Sequence, residues 1–92
     1  MSYPTEIIYK IYHLPTRKYI QSLMDYGNIK NYGSKYADIK LGQKGKSWKT
    51  KQGVVMIYNY DLKLNCQHLN YKLNEFEIHE LIIKVQTVLI QK

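Results

Sequence analysis

The residues with the clearest chemical potential form one run, Lys44-Gly45-Lys46-Ser47-Trp48-Lys49-Thr50-Lys51. Glycine lets a backbone come close to a phosphate, and each lysine that neutralises a phosphate releases counterions. An aromatic ring among them can stack on an unpaired base. Lys35 and Lys40, with Tyr32 and Tyr36, extend the same surface upstream. Residues 29–53 carry seven lysines against Asp38 alone, whereas 1–28 have a net charge of +1 and 54–92 are neutral. Nearly all of the formal charge of +7 therefore sits in one central stretch. This predicts nucleic-acid contact through Tyr32, Lys35, Tyr36, Lys40, Lys44, Lys46, Trp48, Lys49 and Lys51. Arg17 is the only arginine. Bidentate reading of guanine is an arginine property and lysine acts as a point charge, so the expected recognition is backbone-directed, with RNA favoured over DNA.

Other constellations are thinner. Cys66 and His68 are two residues apart, but His13 and His79 are distant and there is no second cysteine, so no metal site and no cofactor is expected. Asp61-Leu62-Lys63, with Asp38 upstream, imitates the acid–acid–lysine arrangement of metal-dependent nucleases. Ile8-Tyr9-Lys10 followed by Thr16-Arg17-Lys18-Tyr19-Ile20-Gln21 resembles a degraded opening of the GIY-YIG nucleases. That family's two defining glycines are here Ile7 or Ile8 and Gln21, and no arginine follows on the next helix. Neither a Ser/His/Asp nor a Cys/His set has supporting context. No catalytic residue is assigned and a non-catalytic module is expected; a metal-dependent nuclease is what the two acid and GIY-YIG features would otherwise imply.

Positioning these residues falls to a single domain over residues 1–92, since a chain of 92 residues has no room for a second core. Hydrophobic residues make up 45%, too much apolar surface for a disordered chain. A lone cysteine fits a reducing compartment, no apolar run reaches membrane-spanning length, and Met1 to Glu6 lack the pattern of a signal peptide. An intracellular protein without a membrane partner is expected, cytoplasmic or in a host cytoplasm if viral. Lys, Ile, Asn and Tyr supply 40 residues against one Ala and one Arg. That bias suits an AT-rich source such as a virus or mobile element.

Periodicity predicts an α+β two-layer sandwich, a three- to four-stranded antiparallel sheet packed by two helices. Residues 5–13 fit strand or helix, with their β-branched and aromatic content favouring strand. Pro15 starts a helix over about 15–26, capped by Gly27. Tyr36–Leu41 reads as a strand, 42–53 as an exposed basic hairpin loop, and Val54–Leu62 as the clearest strand, with Tyr58 and Tyr60 on one face. Leu69, Tyr71 and Leu73 alternate as another strand. A long helix over about 75–91 is capped by Asn74 and Glu77. Its core stripe is Ile78, Leu81, Ile82, Val85, Val88 and Leu89, and Phe76, Ile83 and Ile90 form a second stripe suited to a homodimer or another protein partner. His79 reads as packed or interfacial.

The expected order resembles that of double-stranded-RNA-binding domains, although Asn74-Glu75-Phe76-Glu77 is acidic where that family opens its last helix with a lysine pair. It is also similar to the Alu-binding proteins of the signal recognition particle and, from Tyr36 onward, to whirly-type single-strand binders. The alternative to nucleic-acid binding is a protein-interaction module. It could be a viral or mobile-element factor inhibiting a host protein, or a subunit of a ribonucleoprotein assembly.

Overall fold

β1 (Thr5–His13) alternates between two environments: Tyr9, Ile11 and His13 turn to one face, Ile8, Lys10 and Tyr12 to the other. The computed structural model describes residues 5–84. Within them β1 joins β2 (Lys18–Leu23), β3 (Ile39–Gly42) and β4 (Phe76–Lys84) in one antiparallel sheet of order β3-β2-β1-β4. β1 and β4 pair along their whole length, from Thr5↔Lys84 to His13↔Phe76.

β1 and β2 pair only beside their turn, at Tyr12↔Tyr19 and His13↔Lys18. The Arg17 N–H donates to the His13 carbonyl at 2.9 Å, and Arg17 itself has φ 58°, in the left-handed region. Beyond the turn the strands part, and residues 46–48 fill the seam between them. The Lys46 N–H donates to the Ile20 carbonyl at 2.7 Å, and Tyr9 and Trp48 exchange both backbone hydrogen bonds at 2.8 Å. Gly45 makes this threading feasible. Its φ is +73°, and a Cβ there would collide with the Cβ of Tyr19 and lie 3.1 Å from the Ile20 carbonyl oxygen.

One face of the sheet is covered by a helix over 51–68. It begins as α2 (Lys51–Met56), capped by the Thr50 hydroxyl accepting from the Gly53 N–H at 3.0 Å. It continues through a π-helical stretch (Ile57–Leu62) into α3 (Lys63–His68). Val54, Leu62 and Cys66 lie at fourfold spacings on one stripe and pack against Tyr9, Ile11, Ile20, Ile39 and Phe76. Asn65, fully buried, ties the layers together. Its Nδ2 donates to the Met24 and Asp61 carbonyls and its Oδ1 accepts from the Asp38 N–H, all at 2.8 Å. Tyr58 donates its hydroxyl to the carbonyls of Leu73 and Phe76 at 3.1 and 3.0 Å. A short helix α1 (Tyr26–Tyr32), capped by Asp25, packs on the same side through Ile29.

The α+β class and the four-stranded antiparallel sheet agree with expectation, but the helices do not sit where periodicity placed them. Residues 15–26 hold a turn and β2 rather than a helix, because Tyr19, Ile20 and Leu23 pair with β1 and β3. Val54–Leu62 is helical despite its β-branched run. Non-local burial of Val54 and Leu62 outweighs a propensity difference of under about 1 kcal/mol per residue. Residues 69–73 form no strand. Residues 76–84 of the expected 75–91 helix are β4, whose backbone groups are satisfied by β1; the remainder of that expectation, with Val85, Val88, Leu89 and Ile90, lies outside the described residues. The 42–53 segment is no hairpin loop: it ends β3, threads the seam and opens α2.

Candidate functional site

Because side chains alternate along each strand, residues next to core positions emerge on the face that the helices among the described residues leave open. β1 contributes Lys10 and Tyr12, β2 contributes Tyr19, and β4 contributes Glu77 and His79, brought opposite by the pairs Tyr12↔Tyr19, Tyr12↔Glu77 and Lys10↔His79. The five side chains form one connected cluster. The Tyr12 ring stacks on His79 with centroids 4.7 Å apart and meets the Tyr19 ring edge-on at 5.0 Å. His79 Nε2 lies 2.6 Å from Glu77 Oε2, and its Nδ1 lies 3.2 Å from the Tyr19 hydroxyl. A carboxylate can only accept, so Nε2–H donates to Glu77; in the neutral imidazole this leaves Nδ1 bare, to accept from the Tyr19 hydroxyl. Lys10 Nζ sits 5.2 Å from the centre of the Tyr19 ring and donates to the Lys44 carbonyl. Lys40, which alternates with the buried Ile39, extends this face along β3.

The basic run is divided by the fold. Lys44, Lys46, Lys49 and Lys51 are exposed, but Trp48 is half-buried against the core, with Lys46 Nζ 5.6 Å from its ring centre. Trp48 therefore has a packing role that leaves little of its face for a base. Tyr32, Lys35 and Tyr36 sit together at the end of α1 and the turn after it, all exposed, with Lys35 Nζ 5.4 Å from the Tyr36 ring. Of the outer stripe, Phe76 belongs to the core beside His13 and Tyr71, Ile83 is 41% exposed on β4, and Ile90 lies outside the described residues.

The two segments that resemble the GIY-YIG opening lie on β1 and β2, yet their tyrosines are on opposite faces: Tyr9 faces the core, its hydroxyl donating to Glu80 at 3.1 Å. Burial first, then the Glu80 carboxylate, holds the Tyr9 hydroxyl above its ordinary value. Asp61 faces Asp25 in a cleft with Tyr26, Met56, Ile57 and Tyr60, and Asp38 is exposed elsewhere. Burial, reinforced by Asp25, pushes the Asp61 carboxyl up, against the opposing pull of the Tyr26 backbone and the Lys46 charge. Cys66 is a core residue whose thiol burial pushes up to about 11. Among the described residues no three His, Cys, Asp or Glu side chains converge.

Sequence reasoning missed Lys10, Tyr12, Tyr19, Glu77 and His79 as a group. The signal that could have found them is the alternation of residues 76–83, which read as a strand would have set Glu77 and His79 on one face. No helix among the described residues is long and apolar enough to cross a membrane. No known protein family, curated protein or solved structure matches the chain, so its own residues carry the functional reading.

Proposed function

We propose that the chain is a nucleic-acid-binding module, preferring RNA, whose contact surface is the open face of the sheet. The observation that carries this is the aromatic–cationic cluster of Lys10, Tyr12, Tyr19 and His79 on a face that no helix among the described residues covers, flanked by Lys40 and Lys44. Rings on a sheet surface offer stacking partners to unpaired bases, and the flanking lysines neutralise phosphates. Backbone recognition by lysine gives affinity with little base preference.

Fluorescence anisotropy with labelled single- and double-stranded RNA and DNA across several salt concentrations tests it. Lys40→Glu/Lys44→Glu should weaken binding at least about tenfold and flatten the log–log salt slope by about one unit per lysine, with an unchanged circular-dichroism spectrum. Unchanged affinity and slope would sink the reading. A protein partner is the second reading, favoured by the exposed Ile7, Ile82 and Ile83 at the far end of β1 and β4, where Ile7 and Ile82 are cross-strand partners.

A further inference from the structure

We infer that the open face is also catalytic: Glu77, His79 and Tyr19 form a proton relay that, with Lys10, cleaves RNA by transesterification. The inference rests on the nucleic-acid reading above. Three side chains from two non-adjacent strands are hydrogen-bonded in series, carboxylate to imidazole to phenol, with distances of 2.6 and 3.2 Å. Glu77 fixes the tautomer, which leaves Nδ1 aimed at the Tyr19 hydroxyl. Packing alone does not need this arrangement. Glu77 is exposed and His79 half-exposed, and the stacked Tyr12 ring holds the imidazole plane on the side away from the core. A phenol that can pass its proton to a bare imidazole nitrogen takes up another proton from a bound hydroxyl without building charge on itself.

The substrate class follows from what the cluster supplies. It offers proton transfer and a cation, and RNA carries a nucleophile, the 2′-hydroxyl, already beside the phosphorus, so the Tyr19 oxygen acts on it as a base and no bond from the protein to phosphorus is needed. In the step, the 2′-hydroxyl gives its proton to the Tyr19 oxygen while the Tyr19 proton moves to His79 Nδ1. The resulting imidazolium is stabilised by Glu77. The 2′-oxygen forms a bond to the adjacent phosphorus and the bond from phosphorus to the 5′-oxygen breaks. The Lys10 ammonium, beside Tyr19, offsets the charge on the phosphoryl oxygens and gives a proton to the leaving 5′-oxygen. Products are a 2′,3′-cyclic phosphate and a 5′-hydroxyl; His79 then releases its proton to water and Lys10 regains one. Tyr19 and Lys10 touch substrate and are catalytic residues, whereas His79 and Glu77 act through Tyr19 as positioning residues.

The test is single-turnover cleavage of a 5′-labelled single-stranded RNA by saturating full-length protein in EDTA, with anisotropy of the same RNA measured in parallel. Wild-type protein should release fragments ending in cyclic phosphate. Tyr19→Phe and His79→Ala, purified identically, should lower the rate at least about a hundredfold. Glu77→Ala should lower it less, with an unchanged melting temperature, and Glu77→Asp should restore part of the loss. An RNA with one 2′-deoxy position should resist at that linkage. RNA bound but left intact would overturn the relay and leave the binding reading standing, whereas absence of binding would overturn both. Equal cleavage by wild type and His79→Ala, or cleavage at the 2′-deoxy linkage, would also overturn the relay.

Discussion

On one face of the sheet Tyr9, Ile11, Ile20 and Ile39 are sealed beneath the 51–68 helix; on the other, Lys10, Tyr12, Tyr19 and His79 are half-exposed and joined by ring contacts and hydrogen bonds. Adjacent residues of the same strands thus live under different physics. The covered face is held by removal of apolar area from water, which tolerates no gap. The open face is held by directional contacts among groups that water can also reach, so it adds less to stability. Its far end differs: Ile8 is buried and its cross-strand partner Leu81 half-buried, so the face closes there into an apolar margin.

The sharpest way to break this contrast is a pair of neighbours. Ile11→Ala, at a fully buried site, should cost about 2–5 kcal/mol in denaturant unfolding. Tyr12→Ala, one residue on, should cost less, about 1–3 kcal/mol at about 0.5–1.5 for each of its two ring contacts. Equal losses would mean that both faces are structural.

Gly45 tests the seam where the two faces meet. Gly45→Ala meets a left-handed backbone angle and the Tyr19 Cβ, so a loss of about 2–3 kcal/mol is expected. Hydrogen exchange at the Tyr9 and Trp48 amides, which bond to one another's carbonyls, should accelerate if the seam opens.

The smallest effect concerns pH. The hydrogen bond from the buried His13 holds the Glu75 carboxyl below its ordinary value, although its own burial pushes the other way. A carboxyl depressed in the folded state stabilises the fold above its unfolded value of about 4.3 and loses that contribution as pH falls through the lower folded value. Melting temperatures taken from about pH 6 to about pH 2 should therefore fall less steeply in Glu75→Gln than in wild type, from a lower starting point.

β1 was half legible: Ile7, Tyr9 and Ile11 alternate as a strand does, while Ile7, Ile8 and Ile11 also fit a helical face, and pairing with β4 decides between them. The 51–68 helix was not, since Val54-Val55-Met56-Ile57-Tyr58 suits either state and only the distant Ile11 and Ile20 decide which stripe is buried. β4 was masked by Glu75, Glu77 and Glu80, which look like the acidic first turn of a helix but serve as a His13 partner, a His79 partner and a Tyr9 partner. The lysine cluster was visible as charge, whereas the face it borders depends on pairings between residues that lie far apart in the chain, which composition cannot display.

The long β1–β4 ladder has a further consequence during translation. Tyr9 and its partner Glu80 are 71 residues apart, so at about 5–20 residues per second β1 is made roughly 4–14 s before its partner strand. Through that interval Ile7, Ile8 and Ile11 have no β4 to pair with, and the nascent chain presents an apolar, half-paired strand to the ribosome surface and to chaperones. Closure of the sheet waits for residue 84 to clear the exit tunnel, and a stall before that point leaves a species prone to pairing with another chain.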